Sequence, residues 1–165
     1  MNSYSMNDQL LIDLLYEQDQ EAFSFLYESY SPSLHGRIIE IVANKELAAE
    51  ILQEAFVQVY HTIGSYDRSK GKIFTWMLNI STRICHEIMR SMKSWPTPDQ
   101  LSLFAGRYGK WIQQLEDGPK QVIELIYYKG YTKYQVADAL NISLETVLVL
   151  HRKGILKLTA QIKSL

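Results

Sequence analysis

Residues 130–158, GYTKYQVADALNISLETVLVLHRKGILKL, decide the fold class. Thr132 is followed three residues later by Gln135, the spacing at which two side chains cap a helix start reciprocally. Val136, Ala137 and Leu140 then recur at helical spacing and share one face. Asn141 suits a left-handed residue ending that helix, Ile142 plugs the corner, and Ser143 caps a second helix. A short helix, a tight turn and a longer helix make a helix-turn-helix, whose second helix lies in a DNA major groove. The same pattern fits a helical hairpin that only builds a core, so the flanking residues must separate the two readings.

Immediately upstream, Gly118-Pro119 opens a helix with apolar Val122, Ile123, Leu125, Ile126 and Tyr127, closed by Lys129-Gly130. Before it, residues 94–114 contain Pro96, Pro98, Gly106 and Gly109 and lose the helical period. They read as a linker, with a short helix near 101–104 or 108–115. Residues 65–90 place Arg68, Lys70 and Lys72 around Gly71 ahead of a helix carrying Phe74 and Trp76. Cations interleaved with aromatics suit a single strand of DNA: the cations hold phosphates, and each ring can accept an unstacked base for roughly 1–3 kcal/mol. At least two of Phe74, Trp76, Met77 and Ile80 must instead be core, because an amphipathic helix needs a buried stripe. The Ser-Lys-Gly-Lys run lacks the glycine pattern of a phosphate-cradling loop.

Towards the N-terminus, residues 46–60 bury Leu47, Ile51, Leu52, Ala55, Phe56 and Val59 on one face. Glu50, Gln53, Glu54 and Gln58 share the opposite, outward face, which is either solvated or a docking surface; paired-carboxylate catalysis would need a converging partner, and none is identifiable. Helices are also expected at 8–16, on the stripe Leu10, Leu11, Leu14 and Leu15, and at 20–30, on Ala22, Phe23, Leu26, Tyr27 and Tyr30. Ser31-Pro32 marks a break or the first turn of a further helix reaching Asn44. No strand alternation or repeat is evident. The expectation is an all-α chain of two small helical domains joined by a linker: 1–93, 94–114 and 115–165.

Charge is distributed unevenly. The net is −1, yet residues 1–60 hold ten acidic and two basic side chains, whereas 65–93 hold six basic and two acidic and 120–165 hold seven basic and three acidic. An acidic front half suits a protein partner and the two basic blocks suit a polyanion. No apolar run reaches the roughly 18 residues that span a bilayer. The first residues carry acids where a secretory leader carries bases, so a cytoplasmic protein without membrane insertion is expected. Cys85 is the only cysteine and is expected to be buried, and His35, His61, His86 and His151 have no metal-ligand spacing.

Three segments in order now resemble RNA polymerase sigma factors of the extracytoplasmic-function (ECF) type. AAEILQEAF (48–56) resembles the family's clamp-binding helix, YDRSKGKIFTWMLNIS (66–81) its promoter-melting and −10 segment, and QVIELIYYKGYTKYQVADALNISLETV (121–147) its −35-reading helix-turn-helix. The resemblance covers nearly the whole chain. It implies partners in core RNA polymerase and promoter DNA, with an anti-sigma factor as a further one. It implies neither a cofactor nor catalytic residues. Carried over by position, Glu50, Gln53 and Glu54 would meet the polymerase clamp. Arg68, Lys70, Lys72, Phe74, Trp76, Asn79, Arg83 and Arg90 would lie on melted −10 DNA, and Lys133, Ser143, Thr146, Arg152 and Lys153 would serve the helix-turn-helix. His151 would line the helix-turn-helix core where the family has an aliphatic residue.

Two departures from the family pattern stand out. Its Ile-Ala-Arg-Asn and following Asp are here Ile80-Ser81-Thr82-Arg83 and Glu87. Its recognition helix begins Gly-Thr-Val-Lys, a small residue, then Arg, where this chain has Glu145, Thr146, Val147, Leu148, Val149 and Leu150. Losing two phosphate-holding cations lowers DNA affinity and its salt slope. Consecutive apolar residues Leu148, Val149 and Leu150 also offer a protein-binding patch, which keeps open a second reading: a sigma-like protein that regulates by binding another protein.

Overall fold

Polar residues mark where each helix begins. In the computed structural model of the chain, which describes residues 7–92 and 110–165, Asn7 starts α1 (Asp8–Tyr16) by accepting from the Gln9 N–H at 3.2 Å. Asp19 starts α2 (Gln20–Val42) by accepting from Ala22 N–H at 2.8 Å, and Asn44 starts α3 (Lys45–Thr62) by accepting from Leu47 N–H at 2.8 Å. Each side chain satisfies a donor that the helix leaves open. Two 3₁₀ turns, Ile63–Ser65 and Arg68–Lys70, lead into α4 (Ile73–Ser91). In the second half α5 (Asp117–Ile123) runs into a π turn, Glu124–Tyr128, followed by α6 (Lys133–Leu140) and α7 (Leu144–Lys163). All regular structure among the described residues is helical, as the sequence pattern leads one to expect.

The break expected at Ser31-Pro32 does not occur: α2 runs straight through Pro32. An interior proline costs about 3 kcal/mol, through a lost hydrogen bond and a ring clash. Phe23, Leu26 and Tyr27 before it and Leu34, Ile38 and Val42 after it are all buried in one cluster. At about 1.5–3 kcal/mol for each large side chain buried, keeping both halves on that core outweighs the local penalty.

The middle of that core is α3, which is buried on almost every side because Ala48, Ala49 and Ala55 are small enough for neighbours to close in. The Phe56 ring packs against Phe23 and Tyr27, with centroids 6.1 and 4.1 Å away. Buried Ile73, Met77, Ile80, Ile84 and Cys85 seat α4 on the same core, and burial pushes the Cys85 thiol up to about 11.

The helix-turn-helix is formed by the residues expected to form it. Thr132 Oγ1 accepts from Gln135 N–H at 3.2 Å while Gln135 Oε1 accepts from Thr132 N–H at 2.8 Å. Asn141 is left-handed, at φ 52° and ψ 47°, and Ser143 Oγ accepts from Thr146 N–H at 3.1 Å. Val122, Val136 and Val147 make its small core, edged by Leu125, Leu140, Ile142 and Leu150. Gly130, at φ 74°, turns the chain from the π turn towards α6.

The two halves share a larger core. Ile123, Tyr127, Ile155, Leu158 and Ile162 join the cluster built by α1–α4, and α7 lies along α2, where the Ser24 and Thr159 hydroxyls share a hydrogen bond of 2.7 Å. Gly154 permits α5 to approach α7, since a Cβ there would fall 2.8 Å from Ile123 Cγ1. Of the expected linker 94–114, only 110–114 fall among the described residues; 110–113 are helical and Ile112 is buried. The short helix expected at 101–104 lies outside the described residues.

Candidate nucleic-acid and partner interfaces

The polar face of α3 is not the outward face that the pattern suggests. Glu50 is 5% exposed and Gln53 1%, and only Glu54 and Gln58, both half-buried, lie at the edge. The cover comes from the second half. The π turn holds an extra residue per turn, which re-aims successive side chains, and it directs Tyr127 and Tyr128 into the first domain. The Tyr128 hydroxyl donates to Glu50 Oε1 at 2.6 Å. Tyr127 Oη lies 3.0 Å from Ser31 Oγ and 3.0 Å from His151 Nε2. Gln53 Nε2 donates to Tyr27 Oη at 2.6 Å, and the Tyr27 ring meets Tyr127 edge-on.

Burial raises the Glu50 carboxyl to about 6, with the Tyr128 hydrogen bond pulling the other way. Burial likewise lifts the Tyr27, Tyr127 and Tyr128 phenols. Glu50 Oε2, Gln53 Oε1, His35 Nε2 and His151 Nδ1 are buried without a hydrogen-bond partner among the described residues. The Glu50, Gln53 and His35 atoms each cost roughly 1–3 kcal/mol, whereas His151 Nδ1 has a carboxylate oxygen of Glu28 at 3.7 Å to offset its burial.

His151 belongs to this seam rather than to the helix-turn-helix core. Its ring stacks on Tyr127 and its Nδ1 faces Glu28 Oε1 of α2 at 3.7 Å. Glu28 is held below the usual carboxylate range by His151 first, with Lys133 and Arg152 adding to the effect.

The basic loop lies across the molecule's outer side. Asp67 Oδ1 accepts from Ser69 N–H at 2.9 Å and from its hydroxyl at 2.7 Å, which hold the Asp67 carboxyl low and tighten the turn. Tyr66, buried beneath, donates to Gly71 O at 2.8 Å. Arg68, Lys70 and Lys72 are thereby left exposed. Two clefts flank them. One of about 590 Å³ is lined by Tyr30, Arg68, Lys72 and Phe74. The other, of about 270 Å³, is lined by Tyr66, Lys70, Trp76 and Asn79.

Met77 and Ile80 take the buried stripe of α4, while Phe74 and Trp76 are half-buried against Tyr30 and Tyr66. Asn79, Arg83 and Arg90 share the exposed face. Arg83 Nη2 also donates to Gln58 Oε1 at 2.8 Å, and Arg90 Nε to His86 O at 3.3 Å. Of that face, Asn79 lines the smaller cleft beside Lys70 and Trp76, and Arg83 and Arg90 lie further along α4. Tyr66, which anchors the loop, and Tyr128, which covers Glu50, escaped the sequence reading, because nothing local distinguishes them from other core tyrosines.

On α7 the Ser143 and Thr146 hydroxyls bond each other at 2.8 Å and cap the helix. Lys153 Nζ donates to Glu116 Oε2 at 2.6 Å, leaving Arg152 exposed and Lys133 half-buried. Leu148 and Val149 are exposed, but Leu150 turns inward: a Cβ on Gly118 would meet Leu150 Cδ2 at 3.1 Å. The expected three-residue apolar patch is therefore two residues wide.

Comparison with known proteins matches residues 26–95 to Sigma-70 region 2 and residues 111–160 to Sigma-70 region 4. An ECF RNA polymerase sigma factor SigK from Mycolicibacterium vanbaalenii is 26% identical over 158 residues, covering 84% of this chain and 81% of the relative. A SigK from Mycobacterium sp. strain JLS is 25% identical over 171 residues, covering 88% and 86%. Among solved structures, the RsbN–BldN complex contains a chain that superposes with a TM-score of 0.49 at 15% identity, covering 91% of this chain and 98% of that one. With both regions matched in order, the chain belongs to the sigma-70 family, as a sigma factor of the ECF type.

Proposed function

We propose that the chain binds core RNA polymerase through α3 and directs promoter recognition and melting, as a cytoplasmic protein with no covalent chemistry of its own. Residues 1–93 serve as the polymerase and −10 domain, 94–114 as the linker and 115–165 as the −35 domain. The observation that carries this reading is the outer side of the first domain. Three exposed cations, Arg68, Lys70 and Lys72, border two clefts whose walls include the half-exposed rings of Phe74 and Trp76, beside Asn79, Arg83 and Arg90. Cations hold the backbone of a strand as it separates, and partly exposed rings take up its unstacked bases.

Glu50, Gln53 and Glu54 form the polymerase contact. On α7, Arg152 and Lys133 supply charge for duplex DNA, with Ser143 and Thr146 at the helix start. Glu145 and Leu148 make −35 binding weak. Exposed Leu148 and Val149 suit a protein regulator of the anti-sigma class. The test is reconstitution with core polymerase and a promoter library: promoter-specific transcripts are expected. A chain with Glu50→Lys and Glu54→Lys should lose them. Transcription that is no more specific with the chain than without it refutes the reading.

A further inference from the structure

We propose that Gln58 is a positioning residue for DNA binding: its side-chain amide aims the Arg83 guanidinium at a phosphate of the separating promoter strand without cancelling its charge. This rests on the reading of the exposed face of α4 as the −10 contact. Three side chains join in a line across two helices. Gln58 Nε2 donates to Glu54 Oε1 at 3.2 Å, one turn back on α3, and Arg83 Nη2 reaches across from α4 to donate to Gln58 Oε1 at 2.8 Å. The span is set from beneath, where Ala55 and Val59 of α3 and Ile80 and Ile84 of α4 are buried in one core. Gln58 is half-buried and Arg83 exposed, so the amide is held while the cation faces solvent.

The chemistry of the line calls for an amide at position 58. An ionised carboxylate only accepts hydrogen bonds and a guanidinium only donates them, whereas an amide does both. Glu54 therefore fixes which way the Gln58 amide faces: its NH₂ turns to Glu54 and its oxygen to Arg83. A carboxylate at position 58 would also accept from Arg83, but it would neutralise that cation and stand as a like charge four residues from Glu54. The neutral oxygen takes one guanidinium N–H and leaves the full charge and the remaining donors for a phosphate. A side chain already held in place also gives up less rotamer freedom when the strand arrives.

The test compares full-length Gln58→Glu, Gln58→Met and Arg83→Ala with the unmodified chain, each bound to saturating core RNA polymerase. The probe is the labelled non-template single strand of a promoter selected from the library, titrated at several salt concentrations. Gln58→Glu should weaken strand binding about tenfold, as expected when a charge-assisted bond to phosphate is given up, and should lower the salt slope by about 0.7, the share of one phosphate on a single strand. Gln58→Met should weaken binding about threefold at an unchanged slope, because the cation keeps its charge but must be ordered on binding. With Arg83→Ala already in place, Gln58→Met should cause no further loss, an outcome that a general effect on stability would not produce. Equal binding by the unmodified chain and both Gln58 variants overturns the positioning role, as does an undiminished loss from Gln58→Met in the Arg83→Ala background; a loss with Arg83→Ala alone then leaves the DNA contact standing. If Arg83→Ala binds the strand as well as the unmodified chain does, the −10 role of Arg83 and the positioning role of Gln58 fall together.

Discussion

Tyr128→Phe isolates the contact between the two halves in a single oxygen atom. The Tyr128 hydroxyl is the donor to Glu50 Oε1 at 2.6 Å, and Glu50 Oε2 already lacks a partner among the described residues. Glu50 titrates at about 6 in the folded chain, against roughly 4.3 when unfolded. A carboxyl raised in this way binds its proton more tightly in the folded state. Its contribution to stability is thus greatest below about 4.3, falls as pH rises to about 6, and is constant above that. Ionising it in the seam costs about 2 kcal/mol.

The hydroxyl opposes this cost, and its removal acts most strongly on the ionised form: about 1.5–3 kcal/mol for a bond to a charge, against about 0.5–1.5 kcal/mol for a neutral pair. Two kcal/mol corresponds to about 4–8 °C of melting temperature for a chain of this size. Thermal unfolding of both proteins at pH 8 and pH 5 should show a drop of about that size at pH 8 and half of it or less at pH 5. Equal drops at the two pH values, or none, would refute the claim that an ionisable Glu50 is buried under the π turn.

Three further outcomes follow from the packing. Gly154→Ala places a Cβ 2.8 Å from Ile123 and should lower stability by about 1–3 kcal/mol; Gly36→Ala, with open space around it inside α2, should raise it by about 0.5–1 kcal/mol, and denaturant midpoints compare the two. Burial depresses His35 to about 4, so the unfolded chain takes up its proton first: stability is full above about 6.5 and declines by about 2 kcal/mol as pH falls to about 5, a decline that His35→Gln should remove from the acid limb of a pH–stability curve. Glu145→Gly with Leu148→Lys should raise duplex DNA affinity of the full chain and steepen its salt dependence by about one unit, measured by anisotropy at several salt concentrations, whereas Leu150→Arg should chiefly destabilise, because Leu150 packs beside Gly118.

What the sequence by itself determined is whatever depends on neighbours within a turn or two. The Thr132–Gln135 capping box, left-handed Asn141 and the Ser143 cap are local hydrogen-bond geometries, so residue type and spacing specify them completely. The amphipathic split of α4 and the burial of Cys85 follow from its periodicity in the same way. Only the tertiary structure decided the rest. Pro32 reads locally as a break, but α2 persists because both of its halves are buried in one core. Glu50 and Gln53 read as a solvated face because helical period reports only which residues share a side, and cannot say that residues 70 to 80 positions later will cover it; the Tyr128–Glu50 bond spans 78 positions. The inward turn of Leu150 and the placement of His151 between Tyr127 and Glu28 have the same origin. Each is set by the docking of one amphipathic element on another, and the free energy of that docking depends on the shapes of both partners.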